Sequence, residues 1–108
     1  MQPLVLATGT INTANTVALT VPAGQIWEIV SITVAQPAAG LAKIITVGFG
    51  TQATPANVKY NWTFSAAQQK DIFYPGWARL PAETLDFISS ADANVAVYTV
   101  NGFKHVTA

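Results

Sequence analysis

The sequence predicts an all-β fold, a single β-sandwich, jelly-roll-like, of about eight short antiparallel strands. Apolar and polar residues alternate with a period of two, most cleanly where Val58, Tyr60, Trp62 and Phe64 interleave with Lys59, Asn61, Thr63 and Ser65. Pro, Gly, Asn and Ser clusters punctuate such runs at regular intervals. No helix-length pattern is present, which excludes βαβ units. Ala66-Ala67-Gln68-Gln69 is the one stretch with helical character, and it is too short to hold a helix.

The elements follow in order. Leu4-Val5-Leu6, behind Pro3, is an edge strand or an arm reaching a neighbour, so residues 1–10 are a candidate N-terminal arm on the single domain 1–108. Gly9 to Asn15 is turn-rich. Val17, Leu19 and Val21 alternate with Thr16, Ala18 and Thr20 as a half-buried strand. Val21-Pro22-Ala23-Gly24 then reads as a tight type I turn with Pro at its second position.

Ile26 to Ala35 is a long strand in which Trp27 and Ile29 hold one phase and Ile32 and Val34 the other. A bulge near Val30-Ser31 is the simplest cause of that slip; two covered faces are the alternative. After the loop Gln36 to Gly40, Leu41, Ile45, Val47 and Phe49 share a phase. Gly50 to Asn57 is a longer loop, followed by the alternating strand above. Ile72-Phe73-Tyr74 is a short strand stopped by Pro75-Gly76, which leaves Trp77 in a turn. Leu85 and Phe87 share a phase, Ser89 to Asn94 is a polar loop, and Val95 to Phe103 is the last strand. Strand order and pairing do not follow from the sequence.

Composition narrows the function classes. Of 108 residues, 51% are apolar and 9% charged, against about 25% charged in ordinary soluble domains. The exterior is therefore built from Thr, Ala, Asn, Gln and Ser, either as a neutral polar surface or as one covered by partners. A formal net charge of +0 disfavours a nucleic-acid partner and an anionic membrane surface. Cys is absent, which removes disulfides, thiol chemistry and Cys-based zinc sites. The start of the chain lacks a basic n-region, and no apolar run reaches the ~18 residues of a membrane span. The expectation is a chain made and kept inside a cell, or assembled there into something larger. Asn61-Trp62-Thr63 matches a glycosylation acceptor by chance on that reading.

No chemistry-bearing constellation emerges. His105 is the sole histidine and lies near the end of the chain, which points to a surface residue rather than to a triad member. Glu83 and Asp86 stand three apart, so on a strand they face opposite ways and do not share a cleft unless the turn bends between them; turn and surface roles are expected for both, and Glu28 and Asp71 are scattered. Gly48-Phe49-Gly50 lacks the Lys-Ser/Thr end and the following helix of a phosphate loop. No cofactor or metal is expected. The aromatics carry more information. Trp27 and Trp62 are in phase with core residues, whereas Trp77, with Arg79 beside it, is either an interface anchor or folded back on the core. The last strand is apolar on both faces, with Val95 and Val97 on one and Tyr98 and Val100 on the other. One face needs a cover, from a loop or from a neighbouring subunit. Leu4, Val5, Leu6, Trp77, Arg79, Tyr98 and Val100 are therefore the interface candidates.

Three phrases carry a resemblance. Thr20-Val21-Pro22-Ala23-Gly24-Gln25-Ile26-Trp27 is followed by a longer strand, Leu80-Pro81-Ala82-Glu83-Thr84-Leu85 by an apolar strand, and an alternating Val strand ends near Gly102. This order resembles a pattern in small bacteriophage virion β-sandwich proteins, of the head decoration (cement) or tail-associated type. Glu83 stands where Gly is common in that pattern. The resemblance implies a non-enzymatic structural protein of the virion, assembled in the host cytoplasm. Its expected role is capsid decoration, as a homo-oligomer (a trimer by analogy) on the major capsid protein or another virion protein. The alternative is a carbohydrate-binding or receptor-binding module of a tail or fibre, with Trp77 or Tyr74 stacking on sugar rings.

Overall fold

The computed structural model describes residues 2–36, 43–50, 57–64, 68–91 and 96–106. Eight strands fill most of them: β1 (Leu4–Ile11), β2 (Thr16–Thr20), β3 (Gln25–Gln36), β4 (Lys43–Gly48), β5 (Val58–Phe64), β6 (Gln68–Arg79), β7 (Thr84–Ser89) and β8 (Ala96–Val106). They form two four-stranded sheets, ordered β1-β8-β3-β6 and β2-β7-β4-β5. Every ladder is antiparallel. The logic is that of one long hairpin. Leu4 pairs with Gly102, Thr20 with Thr84, Trp27 with Arg79 and Lys43 with Phe64. The ribbon is then rolled, so that β8 also pairs with β3 and β7 with β4. This is a jelly roll.

The core lies between the sheets. Ile11, Ile32, Val34, Ile45, Val47, Phe64, Leu85, Phe87 and Val100 are fully buried, and Trp27 and Trp62 join them as the alternation requires. Across the layers the Phe87 ring of β7 stacks on Tyr98 of β8, 4.7 Å between centroids. Lys43 shares the inward phase of Ile45 and Val47 and is buried with them.

The phase slip in β3 is a bulge. Both of its ladders shift register between Ile29 and Ser31, so Val30 is the extra residue and Trp27, Ile29, Ile32 and Val34 all reach the core. A second shift, between Val17 and Leu19, turns Val17 out to solvent while Leu19 and Ala18 pack inward. It corrects the simple alternation expected of β2.

Three boundaries differ from the sequence expectation. β1 runs through Gly9 to Ile11, because Tyr98 lies over Gly9 and fills the space a side chain there would take. From Leu4 onward the candidate arm is an edge strand of its own sheet. β6 does not stop at Tyr74. It continues to Arg79 and absorbs Pro75-Gly76 as a bulge, which an edge strand tolerates because one side of it needs no ladder bonds. β8 extends to Val106, pairing with Gln25–Trp27. Leu41, the loop residues 37–40, 51–56 and 92–94, residues 65–67 and Val95, for which the sequence carries expectations, lie outside the described residues, while Gln68 and Gln69 are strand.

Two proline turns sit side by side at one end of the sandwich. In the first, Gln25 N donates to Pro22 O at 3.3 Å and Gly24 has φ +77°. The turn is thus Pro22–Gln25 with Gly at its third position, one residue later than expected and not type I. In the second, Glu83 N donates to Leu80 O at 3.0 Å, with Ala82 at φ 69°. The turns are tied together by Ala82 N to Val21 O (2.8 Å) and Val21 N to Glu83 O (3.0 Å). Each carries the chain from one sheet to the other.

Candidate functional site

The sequence-selected residues fall into three groups. Leu4 and Val5 open β1 and are exposed, at 55% and 61% of their surface. Leu6, at the β1 register shift, turns inward and packs on the core. Tyr98 and Val100 are buried in the core. They alternate with Val97 and Thr99, which face out, so the expectation that Tyr98 and Val100 lie at an interface is corrected: they are the inner face of β8.

Trp77 and Arg79 form a corner cluster with Phe49. Trp77 stands opposite Ile29 on the inner face of β6, half-buried, its ring edge-on to Phe49 at 5.6 Å. It is folded back on the core rather than presented to solvent. Arg79 is buried, with its guanidinium 3.8 Å from the centre of the Phe49 ring. Its Nε donates to Thr84 O at 3.0 Å, and its Nη1 lies 3.5 Å from Glu83 Oε1. Burial lowers the Arg79 pKa, and Glu83 and Asp86 oppose that shift. Arg79 ties the Leu80–Glu83 turn to the Phe49 ring, on which Trp77 also packs.

The carboxylates do not assemble into a catalytic pair. Glu83 Oε1 accepts from Leu80 N at 2.7 Å, inside the turn. Asp86 was expected at the surface but is buried, and its Oδ2 accepts from Asn15 Nδ2 at 2.6 Å. Glu28 and His105 face each other across β3 and β8 at 3.3 Å, both half-exposed. Among the described residues no three metal-ligating side chains converge, and no pocket opens.

What the structure does present is a surface. The outer face of the β1-β8-β3-β6 sheet is laid down in cross-strand rows. One row runs Thr10, Val97, Ala35, Gln69; the next Thr8, Thr99, Thr33, Asp71; the third Val5, Asn101, Ser31, Phe73. Asp71 and, further along, Glu28 are the carboxylates on this face. The polar groups bond one another: Thr33 Oγ1 donates to Asp71 Oδ1 at 2.6 Å, Asn101 Nδ2 to Ser31 Oγ at 3.2 Å.

At the β6 side of this face stands a protrusion that the sequence reading treated as a strand end. Ile29 pairs with Trp77 and Ser31 with Phe73, so Tyr74, Pro75 and Gly76 together oppose Val30 alone. Tyr74 has φ 49° and Gly76 φ 78°. The bulge pushes out Phe73 and Tyr74, which are 65% and 80% exposed. Pro75-Gly76 inside an aromatic run was the available signal, and it reads equally well as a hairpin turn.

No protein-family model matches this chain, and no curated protein matches it either.

Proposed function

We propose that this chain is a non-enzymatic structural protein of a bacteriophage virion, and that its role is capsid decoration. On this reading it binds the outside of the shell as a homo-oligomer, with the major capsid protein as its partner. The observation that carries the reading is the outer face of the β1-β8-β3-β6 sheet, a four-strand-wide surface of Thr, Asn, Val and Ala with few charges. Protein interfaces are depleted of charge at their centres because desolvating an ion is costly. The jelly roll is a common architecture of viral capsid proteins, and the three sequence phrases agree with it.

The exposed pair Phe73 and Tyr74 favours a second reading, a receptor-binding or glycan-binding module in which these rings stack on sugars. Deleting the gene from the phage genome that carries it separates the two. Particles that still adsorb to cells but release DNA at lower temperature support decoration. Particles of unchanged heat resistance that no longer adsorb support the receptor module. Complete absence of the polypeptide from purified wild-type particles overturns both. Rebinding of the purified chain to empty shells is expected to persist to about 1 M salt, since an interface nearly free of ions is little screened.

A further inference from the structure

We propose that the free edge of β1 is a docking strand that pairs, antiparallel, with β1 of a second copy of this chain. The inference does not rest on the virion reading; it concerns how two copies join.

The sandwich has two open sides. On one, β6 and β5 are the edge strands; on the other, β1 and β2. Exposed edges invite pairing with other chains, and proteins guard them with charges, prolines, bulges or extreme shortness. The β5–β6 side has such guards: Lys59 on β5, Lys70 and Asp71 on β6, and the bulge around Pro75. On the β1–β2 side, β2 is guarded by its five-residue length and its register shift between Val17 and Leu19, but β1 is long and regular beyond Leu6. The first charged side chain of the whole sequence is Glu28, so neither strand on this side carries an ionisable group. β1 is eight residues long, Pro3 lies before it, and its register shift falls at its start.

The missing charge also selects the occupant. An edge without ions offers nothing for a charged partner to recognise, and main-chain hydrogen bonding is what remains. The same strand on a second copy is complementary to it. The regular stretch Ala7–Ile11 has Gly9 at its centre. A two-fold axis there sets Thr8 opposite the partner's Thr10 on the outer face and Ala7 opposite the partner's Ile11 on the inner face. Small and β-branched residues meet and no like charges oppose each other. Exposed Leu4 and Val5 flank the seam at both ends, and exposed Val17 lies on the same side in β2. Such an interface is isologous and closes as a dimer, which departs from the trimer implied by the sequence resemblance.

The test uses the purified full chain in light scattering over a concentration series. A dimer is expected. The double variants Thr8→Lys/Thr10→Lys and Thr8→Glu/Thr10→Glu place like charges across the seam; each is expected to dimerise at least about tenfold more weakly. Mixing the two is expected to restore a one-to-one dimer. A wild type that stays monomeric at all concentrations, a trimer, or a dimer indifferent to both variants overturns the proposal. Should the variants fail to fold, hydrogen exchange of the wild type decides: protection of the Ala7–Ile11 amides rises with concentration if β1 pairs across copies, and is independent of concentration if it does not.

Discussion

Gly102 lies against Glu28 so closely that a β-carbon on it would overlap the Glu28 carbonyl oxygen, with Leu6 Cδ1 at 2.8 Å beyond. The contact occurs where β8 passes the bulge of β3, and Leu6 occupies the space that the glycine leaves. Gly102→Ala must therefore move backbone rather than a flexible side-chain tip. The expected loss is about 2–3 kcal/mol in chemical denaturation, the range for overpacking a closed site. Gly9→Ala is the milder comparison, because the atom it meets is the tip of the Tyr98 side chain.

The Leu80–Glu83 turn asks an alanine to do what glycine does better. Ala82 has φ 69°, a left-handed conformation that costs an L-residue roughly 1–2 kcal/mol. Glycine relieves that strain but loses more chain entropy on folding. Ala82→Gly is expected to stabilise by about 0.5–1 kcal/mol, read as a higher urea midpoint with an unchanged slope.

Burial raises the Tyr98 pKa above its ordinary value of 10.0. The folded state therefore keeps its phenolic proton at a pH where the unfolded chain has released it. Stability from this source is complete below about pH 10 and is lost as pH rises from the unfolded value through the raised folded one. Urea unfolding on either side of pH 10 measures the fall. Tyr98→Phe keeps the stacked ring and is expected to flatten the alkaline limb.

Arg79 combines a ring contact with Phe49 and a hydrogen bond to Thr84 O. Lysine supplies charge without the planar group that makes both. Arg79→Lys is expected to cost about 1–2 kcal/mol and to alter the Trp77 fluorescence, since Trp77 touches the same Phe49 ring. An unchanged spectrum and midpoint would show that the cluster is not coupled.

Local patterns carried the core but not the connections. Trp62 and Phe64 could be placed inside by alternation, but Tyr60, in the same phase, is 46% exposed, because the first half of β5 lies beyond the cover of the other sheet. The β3 bulge was legible because apolar residues changed phase within one uninterrupted run. β6 was cut at Tyr74 because Pro-Gly signals a turn, and only its place at a sheet edge lets it be a bulge instead. Trp77 looked like a loop residue for the same reason. Tyr98 and Val100 lay in a run apolar on both faces, where the sequence cannot say which face is covered by the other sheet. The open β1 edge depends on pairing partners far away in the chain, which no local pattern specifies.

The rolled hairpin also sets an order of events during synthesis. β8 sits between β1 and β3, so the sheet these strands share has a gap at its centre until residues 96–106 leave the ribosome. Until then β1 and the inner side of β3 are two open edges on a chain whose first 27 residues carry no charge to keep other nascent chains away. Closure of this sheet consequently waits for β8 and is slow, as expected when the defining contacts join strands far apart in a sequence. The vulnerable interval for aggregation is the time before β8 emerges.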